Sequence, residues 1–228
     1  MGEHASESAG DALVAQILAG DETGLAMELW AEVSRGYPVE RIAPLLKSDL
    51  ESAVKEGIWL AAELRARSRT LLGDIAPLLS HASPSVRGYA VEAIAGAATI
   101  DDSEILARAA ERITDAHTGV RAEAVRLLAS QPEEQLASAQ QQMRDSAIGS
   151  WVARLLRDVR TGDAASVRLR LGSKDRTERL FALATLMRIM QGRPETVLID
   201  ITDADTEVQR LARSYVRDSP RKHDVDPT

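Results

Sequence analysis

Histidines, cysteines and close carboxylate pairs are the usual material of metal sites, nucleophiles and acid–base centres. This chain of 228 residues offers few of them in a useful arrangement. It has no cysteine, which excludes a disulfide framework, a thiolate metal site and a Cys nucleophile. Its four histidines are His4, His81, His117 and His223. The outer two lie in polar termini and the inner two in turn-like stretches, and no ligand spacing of the H-E-x-x-H kind occurs. Asp101 and Asp102 with Glu104 read as the start of a helix, where the dipole favours acids, rather than as an acid–base pair. Gly10, Gly20 and Gly24 are separated by helical-looking sequence and make no phosphate-binding loop. No nucleophile, base and orienting group can be assembled from spacing, so the expectation is a protein without catalytic residues, metal ligands or cofactor.

Aromatic side chains and arginines are the remaining candidates, and they bind rather than react. Which of them share a face depends on the helices that carry them. The stretch Val86-Arg87-Gly88-Tyr89-Ala90-Val91-Glu92-Ala93-Ile94 recurs 34 positions later as Val120-Arg121-Ala122-Glu123-Ala124-Val125-Arg126-Leu127-Leu128. Weaker copies start at positions 54, 148, 178 and 208, and a fainter one at Leu25. The pattern's apolar offsets, 0, 4, 5 and 8, lie on one stripe of a helix with 3.6 residues per turn, with Glu178 and Arg213 as departures in the weaker copies. A second apolar segment precedes most copies, at 42–46, 75–79, 105–109, 167–171 and 197–201, with short polar connectors rich in turn and N-cap formers. Pro44 and Pro77 hold corresponding places in two of these segments and read as architecture. Helix, tight turn, helix is the predicted unit, and such a hairpin must stack on its neighbours to bury its apolar face.

The doublets Val86-Arg87 and Val120-Arg121, each followed by Ala-Val, resemble the second-helix consensus of the HEAT-repeat family over about residues 25–217. The resemblance implies an all-α fold: a right-handed α-α superhelix, or HEAT-like solenoid, of about six to seven helical hairpins. One domain over 11–217 is expected, with disordered tails at 1–10 and 218–228. The resemblance also implies a ladder between repeats made by Arg87, Arg121, Arg179 and Asp115, broken where Lys55 and Gly149 replace the arginine.

Offset 3 sits at the edge of the apolar stripe and is expected to be partly open. It carries Tyr89, Trp151 and Phe181, three of the seven aromatic residues, while Trp30 and Trp59 at offset 5 belong to the buried stripe. At offsets 6, 9 and 10 stand Arg126, Arg154, Arg157 and Arg188. These seven residues are the candidate partner-binding set, the aromatics serving either as interface anchors or as packing between repeats. The formal net charge is −7, unevenly spread: residues 1–143 hold 12 Lys+Arg and 22 Asp+Glu, and residues 144–193 hold 11 and 5. A basic zone of net +6 thus sits in an acidic chain.

The expected function is that of a non-enzymatic, bacterial-type adaptor or toxin-neutralising immunity-type protein. Its partner would be another protein with an acidic patch, held along the concave face. The alternatives are a HEAT-like DNA glycosylase or other nucleic-acid binder using the 144–193 region, and a bilin-lyase-like or chaperone-like protein. The polar, acidic first ten residues do not resemble a secretory signal and no run approaches the ~20 apolar residues of a membrane span, so a cytoplasmic protein is expected. Nothing points to a small-molecule substrate.

Overall fold

In the computed structural model, which describes residues 8–20, 24–190 and 206–218, every regular element is helical. The chain divides into two compact units, 1–109 and 110–228.

The first unit contains α1 (Ala9–Ala19), α2 (Ala26–Ser34), α3 (Ala43–Leu46), α4 (Glu51–Leu64), α5 (Leu72–Ile75), α6 (Pro84–Ala97) and the start of α7 (Ser103–Ala110). Ser8 caps α1 by accepting from the Asp11 backbone N–H, so the helix begins before the boundary expected at residue 11. The rest of the expected N-terminal tail, like the C-terminal one beyond Asp218, lies outside the described residues. α4 packs on α2 and α6 on α4, in chain order. Val86, Ala90, Val91 and Ile94, the four stripe positions of α6, are all fully buried, as the 3.6 period requires. The preceding half-repeats are less regular than expected. A 3₁₀ turn, Val39–Ile42, leads into α3, and two 3₁₀ segments, Arg65–Leu71 and Ala76–Ser80, flank α5. Pro44 and Pro77 each sit in the first turn of one of these short pieces, where the missing backbone donor does no harm and the fixed φ starts a helix.

The second unit contains α8 (Thr118–Ser130), α9 (Glu133–Gln142), α10 (Ala147–Thr161), α11 (Ala164–Arg170), α12 (Arg176–Ile189) and α13 (Thr206–Asp218). Here α12 lies against α8, α10 and α11, and α13 lies against both α8 and α12. Every residue of α12 from Leu180 to Met187 is buried, so it is enclosed rather than amphipathic. α9 has no counterpart among the sequence-derived segments, because Glu133-Glu134-Gln135 and Gln140-Gln141-Gln142 dilute its apolar signal to Leu136 and Ala139. The half-repeat expected at 197–201 lies outside the described residues.

The consensus arginines play one recurring local role. Arg87 donates to the carbonyls of His81 and Ala82 at 2.8 and 2.9 Å. Arg121 does so to Asp115 and Ala116 at 2.6 and 2.8 Å, and Arg179 to Ser173 at 2.7 Å. Each guanidinium reaches back five or six residues and closes the turn before its own helix, where carbonyls lack helical partners. Across helices, Arg121 pairs with Glu207, a residue that the expected ladder did not contain. Gly149 has a steric reason to replace the arginine: a Cβ there would stand 1.9 Å from the Met143 carbonyl oxygen.

Candidate functional site

Of the seven candidates, Tyr89 is half-buried on α6 in the first unit and the other six belong to the second. Three of those six converge. The rings of Trp151 on α10 and Phe181 on α12 stack with centroids 6.0 Å apart and an interplanar angle of 18°, and the Arg154 guanidinium lies 5.5 Å from the Trp151 ring centroid. Arg154 also approaches Glu178 at 3.6 Å and Asp158 at 4.0 Å. Glu178 accepts from the Ser173 hydroxyl at 2.6 Å, and Asp158 pairs with the buried Arg170. Phe181 is only 1% exposed, not open as its offset predicted, because α8, α10 and α11 close around α12. The cluster therefore joins α10 to α12 through a ring stack and shared carboxylates, with Trp151 and Arg154 half-exposed at its rim.

The offset rule fails in the opposite sense at Trp30. This residue is 40% exposed where the stripe predicted burial, and Met27, one turn earlier on α2, is also exposed. Of that copy's stripe positions, Leu25, Leu29 and Val33 are buried.

Arg188 is not an outward-facing cation. It donates to the carbonyls of Leu128, Ala129 and Gln131 at 3.1, 3.3 and 2.6 Å, satisfying the C-terminal end of α8 from α12. Burial holds its pKa below the usual arginine value, with Glu133 pulling the other way. Arg157, by contrast, is exposed on α10.

Arg126 leads to a feature that the sequence did not reveal. It pairs with Glu123 and donates to the Ser214 hydroxyl at 3.2 Å, which places it between α8 and α13. These two helices border an open groove of about 720 Å³. Thr118, Gly119, Ala122, Glu123 and Arg126 line one wall, and Gln209, Arg210, Leu211, Arg213 and Ser214 the other. The wall spacing on α8 (118, 119, 122, 126) is one helical stripe, as is that on α13 (210, 213, 214). At one end Glu207 fixes the two helices, accepting from Thr118 Oγ1 and Arg121 Nε at 2.8 Å each. Arg210 and Arg213 were legible as the polar face of an amphipathic segment, since Val208, Leu211 and Ala212 mark its buried side. That this face borders α8 was not legible, because the two segments lie almost ninety positions apart.

His117 turns out to be the N-cap of α8, and His81 a turn residue two positions before Ser83, the N-cap of α6. Nδ1 of His81 accepts from the Ser83 backbone N–H at 3.0 Å, and Nδ1 of His117 from that of Gly119 at 3.2 Å. Each imidazole thereby satisfies an orphan donor at the start of α6 or α8. Among the described residues, no group of three or more His, Asp or Glu is arranged to hold a metal ion, and no helix is long and apolar enough to cross a membrane.

No family model matches the chain, and no curated protein matches it in sequence. One solved structure, the crystal structure of an engineered protein, is similar over 94% of this chain and 91% of its own, with 19% identity and a TM-score of 0.49.

Proposed function

We propose that this chain is a HEAT-like α-solenoid of helical hairpins that works without chemistry of its own, as a cytoplasmic scaffold binding an acidic protein partner. An adaptor and a toxin-neutralising immunity-type protein are the two forms this takes. Its membership of the HEAT-repeat class is supported by the turn-closing arginines at 87, 121 and 179, which do the same work at the same register.

One observation carries the functional reading: net charge is divided unevenly between the two units. Residues 1–109 hold 9 Lys+Arg and 17 Asp+Glu, net −8, and residues 110–228 hold 19 and 18, net +1. In the second unit Arg157, Lys174, Arg176, Arg210 and Arg213 are exposed. Such segregation orients an incoming charged partner and accelerates its encounter, with a strong dependence on ionic strength. Buried Phe181 and the capping Arg188 contribute to the scaffold that holds this surface rather than to the surface.

The test is capture of partners from nuclease-treated host lysate by the tagged protein, beside a variant with Arg157, Arg176, Arg210 and Arg213 all changed to Glu. The expected result is a protein retained by the wild type at low salt, released by about 0.5 M salt as screening shortens the Debye length, and absent from the variant. Retention of the same protein by the variant would overturn the reading, as would substrate turnover by purified protein.

A further inference from the structure

We infer that the groove between α8 and α13 is the docking site of an acidic amphipathic helix from the partner. This inference rests on the protein-binding reading above and narrows it to one surface and one kind of ligand. The groove combines two chemistries along its length. Gly119, Ala122 and Leu211 supply small or apolar floor atoms, which let another helix approach closely. Arg210 and Arg213 stand exposed on the α13 wall, while Arg126 on the α8 wall is paired with the single lining carboxylate, Glu123, so the rim is net cationic along α13. A helix laid in such a track presents apolar side chains at i, i+3, i+4 and i+7 to the floor and carboxylates to the two guanidiniums of α13.

Nucleic acid fits less well. None of the lining residues is aromatic, so a splayed base finds no stacking platform, and Glu123 opposes a phosphate backbone at the centre of the α8 wall. The groove is also preformed: the Glu207 contacts to Thr118 and Arg121 hold its two walls in register before any ligand arrives, which lowers the ordering cost of binding.

The experiment is fluorescence anisotropy with a labelled peptide of about 18 residues, five helical turns, carrying a Leu stripe and Glu elsewhere. A Lys-for-Glu version of the peptide and single-stranded DNA of equal charge serve as competitors. Full-length protein is compared with the groove variant Arg210→Glu, Arg213→Glu and with the distal variant Arg144→Glu, Arg160→Glu, two exposed arginines at the two ends of α10, circular dichroism confirming that both fold. The expected result is binding of the acidic peptide that weakens by at least about tenfold, roughly 1.4 kcal/mol, in the groove variant and by less than about twofold in the distal one. The Lys peptide should not compete. Equal loss in both variants, or loss only in the distal one, would remove the groove assignment while leaving a cationic binding surface in place. Displacement of the peptide by DNA at equal charge concentration would replace the helix with nucleic acid as the ligand. Absence of binding by the wild type would overturn the assignment outright.

Discussion

In the first unit the second helices pack in the order in which the chain makes them, α2 then α4 then α6, whereas in the second α12 separates itself from that order by lying against both α8 and α10. The consequence is visible residue by residue. On α6, Ser85 and Glu92 face solvent and the buried residues follow the stripe with a few small neighbours. On α12, Leu180, Phe181, Ala182, Leu183, Ala184, Thr185, Leu186 and Met187 are buried without a break, and the Thr185 hydroxyl satisfies itself on the Phe181 carbonyl at 2.7 Å. The same offset therefore means different things in the two units. Offset 6 is Glu92, exposed, in one and Ala184, fully buried, in the other. Helices that are enclosed on all sides carry apolar residues all round, and a periodic template reads only part of them.

The largest effect that separates the units is expected at that offset. Ala184→Lys should cost about 4 kcal/mol, because a charge enters a site with no room and no partner, whereas Glu92→Lys should change stability by less than about 0.5 kcal/mol. Urea denaturation of the two variants measures this directly, and similar midpoints would mean that α12 is no more enclosed than α6.

Next in size is the pair that joins α8 to α13. Arg121 is 5% exposed and Glu207 holds its guanidinium, so Glu207→Ala should cost about 3 kcal/mol by stranding a buried charge. The first unit's exposed Lys55–Glu51 pair should yield only about 0.3 kcal/mol on the same treatment. Amide exchange along α13, compared with that along α4, distinguishes local loss of α13 from global destabilisation.

The two histidines predict likeness rather than difference. His117→Ala should cost about 1 kcal/mol, the usual loss when an N-cap acceptor disappears, and His81→Ala about as much through the lost hydrogen bond from the Ser83 N–H, with His→Asn restoring most of it at either site. A cost confined to one unit would show that only one of the two turns depends on its imidazole.

The smallest effect concerns α1. Asp11 accepts from Ser8, from Arg41 at 2.7 and 2.9 Å and from the Tyr37 hydroxyl at 2.9 Å, and these contacts lower its pKa from 3.8 to about 2. A depressed carboxylate contributes its stability above the ordinary value and loses it as pH falls through the folded one. Docking of α1 should therefore weaken between about pH 4 and pH 2, followed by the NMR resonances of the Tyr37 ring, and Asp11→Asn should abolish that step. A step that persists in Asp11→Asn would assign it to another carboxylate.

The all-helical class and the apolar stripes were legible because they are local, whereas the turn-closing bonds of Arg87, Arg121 and Arg179 were not, the resemblance having implied a ladder between repeats. Ala- and Leu-rich stripes at offsets 0, 4, 5 and 8 set amphipathic helices whatever they later meet, and Val86, Ala90, Val91 and Ile94 or Val120, Ala124, Val125 and Leu128 are buried accordingly. α9 was missed because a helix with two stripe residues and six Gln or Glu flanking them carries too little periodic signal. Of the candidate site, the grouping of Trp151 with Arg154 was legible, since three positions on one helix share a face. The burial of Phe181 and the reach of Arg188 to the end of α8 were not, because both follow from where α12 lies.

The sequence by itself determined that the chain is helical, which face of most helices is apolar, and that turns precede α6 and α8, since these depend on contacts within about six residues. Tertiary structure alone decided which helix lies against which. It enclosed α12, spent Arg188 on the carbonyls of α8, turned Trp30 to solvent and set Arg210 and Arg213 across a groove from Arg126. Those outcomes depend on contacts between different helices, about sixty to ninety positions apart for Arg188 and the groove, and a period of three or four residues holds no record of them.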